Sequence, residues 1–94
     1  MDEVVGYRHL NHHQRETVER IFQHPIRHDI EWREVEALLE SIGTFEWSHD
    51  DRMHVSVGEV RHVFIRPKAK EIDADSVVDL RHFLRAAGFV PDEG

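Results

Sequence analysis

The chain has 94 residues, 39% of them hydrophobic and 33% charged, with a formal net charge of −7 and no cysteine. That length supports one domain with a modest core, and the missing cysteines exclude disulfides, thiolate metal sites and cysteine nucleophiles. The apolar runs fall short of the roughly 18 residues that a membrane helix needs, and the first residues lack a basic segment leading into an apolar one. Neither a membrane span nor a signal peptide is therefore expected, and the composition fits a cytoplasmic protein.

Residues 1–10 have no clear period and are expected to be a flexible N-terminus. Asn11 with Gln14 three positions on has the form of a capping box. Val18, Ile21 and Phe22 follow as a narrow apolar stripe, and Pro25 ends the pattern. The spacing predicts an accessory helix over residues 11–24. Asp29 then offers a cap for a second helix, in which Trp32, Val35, Leu38, Leu39 and Ile42 form a strong stripe. Gly43 is the expected left-handed residue at its end. The position of Trp32 on that stripe assigns it to the core.

From residue 44 the period changes to two. Phe45 and Trp47 alternate with polar neighbours up to His49, Asp50-Asp51 reads as a tight turn, and Met53, Val55 and Val57 alternate with His54 and Ser56. A tight turn at Asp50-Asp51 would set Trp47 opposite His54. Gly58-Glu59, glycine first, suits a type II′ hairpin, which pairs Val55 with His62 and His54 with Val63. The strand from Val60 to Ile65 is apolar on both faces and is expected to be central. After Pro67 and a basic loop, Asp73 caps a last helix, with Ile72 and Val77 placed as a hydrophobic staple and Gly88 as its stop. The expected fold is α+β: a three-stranded antiparallel sheet with two helices on one face, plus the N-terminal helix, the main domain spanning residues 29–90. The other sheet face is left open for polar residues or for an interaction.

Charge is unevenly spread. Residues 52–70 hold Arg52, Arg61, Arg66, Lys68 and Lys70 against Glu59, a local +4, while residues 1–51 sum to −7 and residues 71–94 to −4. A basic island in an acidic chain points to an anionic partner such as RNA, with those five residues as its contacts. His54 lies within the island and is the candidate general base for RNA cleavage, which needs a base near neutrality and cations beside the phosphate. Nine histidines make the charge sensitive to pH, since protonating all of them would take −7 to +2. His9 and His13 are spaced to share a metal on a helix, but no HExxH pattern or third ligand accompanies them, so neither a metal nor another cofactor is expected.

The stretch Ile30 to Leu39 (IEWREVEALL) through Gly43, then Val63-Phe64-Ile65-Arg66-Pro67, then Val77-Val78-Asp79-Leu80-Arg81 through Gly88, resembles the HicA-like toxin family. The resemblance spans about residues 29–89 and implies an α-β-β-β-α fold related to double-stranded RNA-binding domains. It also implies an RNA-binding protein of a toxin–antitoxin type, held by an antitoxin-like partner. The family places a catalytic histidine in a Gly-Ser-His run. Here Asp50-Asp51-Arg52 occupies that place, so Arg52 stands at the histidine position and His54 lies two residues on, on the same strand face. That departure implies a nuclease activity lost or altered, an mRNA endoribonuclease only if His54 substitutes. The alternative reading is a non-enzymatic protein-interaction module that uses the exposed sheet face or a strand edge.

Overall fold

A computed structural model describes residues 10–65 and 69–91. It has the order α1 (His12–Ile21), α2 (Trp32–Ile42), β1 (Thr44–Trp47), β2 (Arg52–Val57), β3 (Val60–Ile65) and α3 (Ala74–Ala87). The three strands form one antiparallel sheet in the order β1-β2-β3. Helix α2 packs over β1, α3 packs over β3, and α1 packs against both other helices. Two layers share one core, centred on Val18, Ile21, Trp32, Leu38, Leu39, Met53, Val55, Phe64, Leu80 and Leu84.

Local chemistry accounts for most boundaries. Asn11 Oδ1 accepts from the Gln14 N–H at 2.8 Å and Gln14 Oε1 accepts from the Asn11 N–H at 3.0 Å, a complete capping box. The helix then ends at Ile21, ahead of the residue 24 expected from the pattern, because the Gln23 N–H turns back to the Arg20 carbonyl before Pro25 is reached. Helix α2 is not capped by Asp29. The Asp29 carboxylate is taken up by the Arg27 guanidinium, at 3.0 and 2.6 Å, and Glu31 is the capping residue, its N–H donating to Glu34 Oε1. Asp73 is the N-cap position of α3, with its carboxylate accepting from the Ser76 hydroxyl at 2.6 Å. Gly88 closes that helix in the left-handed conformation at φ 88°.

Gly43 departs from expectation. Its φ of −163° is extended, and the constraint is space: a β-carbon there would lie 2.1 Å from the Ser56 carbonyl oxygen and 2.8 Å from Val57 Cγ2. Glycine lets the end of α2 run directly against β2. The expected central position of β3 is also corrected. It is an edge strand, and β2 is central. The apolar residues of β3 divide between the helix side, with Val60 and the buried Phe64, and the open face, with the exposed Val63 and Ile65 beside Arg61.

The β2–β3 register is the one expected, with His54 opposite Val63 and Val55 opposite His62 around a Gly58-Glu59 turn in which Gly58 has φ 61°. The β1–β2 connection differs. The Ser48 N–H donates to the Arg52 carbonyl at 2.9 Å and the Asp51 N–H to the Ser48 carbonyl, leaving a three-residue loop, His49–Asp51. Asp51 is left-handed at φ 63°, a conformation that aspartate tolerates. One extra loop residue flips the faces of β1. Trp47 is thus opposite Met53, on the helix side at the sheet margin, and Glu46 is opposite His54. A further connection joins residues 30–32 to 70–72: the Trp32 N–H donates to the Lys70 carbonyl and the Ile72 N–H to the Ile30 carbonyl, at 3.0 and 2.9 Å. It seats Ile30 and Ile72 in the core.

Candidate nucleic-acid interface

Alternation along the strands sends one set of side chains to the helices and the other to the open face. Met53, Val55, Val57 and Phe64 take the first direction and are buried. Thr44, Glu46, Arg52, His54, Ser56, Arg61, Val63 and Ile65 take the second. Arg52, His54 and Arg61 therefore share one face, as the basic-island reading requires. Arg52 lies two residues before His54 on β2, and Arg61 lies diagonally across on β3, opposite Ser56. The register puts the two arginines roughly 14 Å apart, one on either side of His54. With their backbones that far apart, the two side chains can meet separate phosphates.

Acids temper this face. The Arg52 guanidinium meets Asp50 at 3.2 Å. The Ser48 hydroxyl donates to Asp50 Oδ1, and this bond is the main reason the Asp50 carboxyl is held below the usual carboxylate range, with Arg52 and His54 adding to the effect. Glu46, directly opposite His54, did not stand out in the sequence, because the loop length that brings it there is set by the backbone at Asp51. Among the described residues Arg61 has no ion-pair or hydrogen-bond partner.

The remaining predicted contacts separate from this group. Lys70 sits at the start of α2, where its Nζ meets Glu31 Oε2 at 3.3 Å; the same carboxylate accepts from Arg33 Nε at 2.7 Å. Arg66 and Lys68, and also His9, lie outside the described residues. His62 faces the helices, half-buried, with its ring 4.5 Å from that of Phe64 and its Nε2 3.9 Å from Asp79. Trp32 is buried, as its stripe position required, and Trp47 belongs to the helix side, so neither offers a stacking platform on the open face. Among the described residues no group of three potential ligands is placed to hold a metal, and no helix is long and apolar enough to cross a membrane. Comparisons with protein-family models, with curated proteins and with solved structures find no match to this chain.

Proposed function

We propose that the chain is an RNA-binding protein of the HicA-like, toxin–antitoxin type, with the nuclease activity lost or altered, and that RNA lies along the open sheet face. The observation that carries this reading is the placement of Arg52, His54 and Arg61 together on that face, around the central strand. The face offers no Phe, Tyr or Trp among its described residues. Stacking is then limited to the His54 ring and the arginine guanidinium planes, and recognition runs mainly through phosphates and sugar hydroxyls, as in shape-directed reading of an RNA duplex. With Arg52 at the family's histidine position and held by Asp50, binding is the better-supported half of the family's activity.

The test is an NMR titration with a short RNA duplex at low salt. Shifts should concentrate at Arg52, His54, Ser56, Arg61 and Val63. Two phosphate contacts predict a loss of about tenfold in affinity between 50 and 200 mM salt, and Arg61→Ala should halve the logarithmic salt slope. No shifts at high micromolar RNA, or shifts confined to the helices, would overturn the reading. A second reading, a protein-interaction surface, is favoured by the exposed apolar residues Val63 and Ile65 on the outer strand β3.

A further inference from the structure

Among the described residues, strand β3 is unpaired on its outer side. The Gly58-Glu59 turn makes Val57 and Val60 the hydrogen-bonded pair that closes the hairpin, so bonding to β2 alternates as Val60, His62 and Phe64. The N–H and C=O groups of Arg61, Val63 and Ile65 consequently point outward. Among the described residues nothing bonds to them. Their side chains lie on the open face, where Val63 is 44% and Ile65 65% exposed.

Sheet edges are ordinarily blunted by short length or by charge. The opposite edge follows that rule, since β1 has four residues and carries Glu46. The β3 edge does not: it has six residues in regular register, a single charge, and its two most exposed aliphatic side chains adjacent on one face.

We propose that β3 pairs antiparallel with β3 of a second copy about a two-fold axis through Val63. This extends the interaction reading of the edge and is independent of the RNA reading. The strand is its own complement in that register. Val63 meets the second copy's Val63, and Arg61 meets its Ile65, whose side chain covers the aliphatic stem of the arginine. On the helix side His62 meets Phe64. Every side chain stays on its own face, no like charges stand opposite one another, and the outward groups of Arg61, Val63 and Ile65 all find partners. The two Arg61 positions lie roughly 13 Å apart along the strands. Pairing β3 with β1 of another copy would use a four-residue strand and leave both ends open to further addition, whereas the β3–β3 contact closes. The product is a continuous six-stranded sheet with two sets of Arg52, His54 and Arg61 on one side.

The experiment is analytical ultracentrifugation of the full chain, without RNA, from low micromolar to millimolar protein, with hydrogen exchange on the same samples. A monomer–dimer equilibrium is expected, with the Arg61, Val63 and Ile65 amides protected only where dimer is populated. Ile65→Lys should weaken the dimer by roughly tenfold or more, as a charge on a pairing edge does. Val63→Pro, which removes an outward N–H while sparing the bonds to β2, should abolish it, with the Val57–Val60 amide signals as the control for folding. A monomer throughout this range overturns the self-pairing. A dimer indifferent to both substitutions, or one in which those three amides exchange freely, overturns the edge itself as the contact.

Discussion

Gly43 shows how one position can be dictated by a neighbouring backbone. The β-carbon of Gly43→Ala would meet the Ser56 carbonyl oxygen, which the β-ladder holds in place. Relief requires α2 to move off β2, so the substitution should cost about 2 kcal/mol and lower Tm by roughly 10 °C. Gly58→Ala is the informative contrast. Its β-carbon meets nothing within 4 Å, and the cost is only that of alanine at φ 61°, about 1 kcal/mol. Thermal unfolding of the two variants separates close approach from backbone strain, and equal losses would contradict the account of Gly43. Glu34 is governed by electrostatics. Burial opposes its ionisation, but the hydrogen bonds from Arg20, at 2.6 Å, and from the Glu31 N–H outweigh it and hold the carboxyl below its ordinary range. A folded-state pKa below the unfolded one stabilises above the unfolded value of 4.5, and that stability is lost as pH falls through the folded value. The urea midpoint should therefore fall with acid below about pH 4.5, and Glu34→Gln should flatten that part of the profile. A slope unchanged by the substitution would remove Glu34 from the explanation.

At the scale of elements, α1 decides whether the domain is one cooperative unit. Its stripe is thin, yet Val18 and Ile21 are fully buried within the core that α2, α3 and the sheet share. Two polar clasps hold it. Arg20 reaches Glu34 on α2, and the Arg81 guanidinium on α3 donates to the Ile21 and Gln23 carbonyls, both at 2.7 Å. The second clasp satisfies carbonyls that a helix end leaves without partners. Ile21→Ala should accordingly cost about 2–5 kcal/mol, as other core truncations do. Unfolding should remain a single transition by both fluorescence and far-UV CD. An early, separate loss of helix signal would mean that α1 is a detachable appendage.

At the scale of the molecule, an acidic chain presents a sheet face on which two arginines stand against Glu46 and Asp50. The net charge of −7 repels a polyanion at long range, while Arg52 and Arg61 attract it locally. Nine histidines make that long-range repulsion sensitive to pH, because the net charge becomes less negative as pH falls. The proposed RNA binding, followed by fluorescence anisotropy at constant ionic strength, should strengthen from pH 8 to pH 6 as the net negative charge of the chain falls. A flat pH profile would show that the net charge of the chain does not govern that binding.

The sequence by itself determined the α+β class, the order of elements and most of the buried positions. These follow from local periodicity, from caps such as Asn11 with Gln14, and from turn residues such as Gly58, whose requirements are met within a few residues. The β2–β3 register was legible for the same reason, since a two-residue turn leaves one pairing. Tertiary structure alone decided which strand lay outermost, because an apolar strand reads alike whether its second face is covered or bare. It decided the faces of Trp47 and Glu46 through a single left-handed residue at Asp51. It also removed Lys70 from the basic group, by folding residues 70–72 against 30–32 and giving the lysine to Glu31. Each of these turns on contacts between segments far apart in the chain, and such contacts leave no periodic mark on either segment.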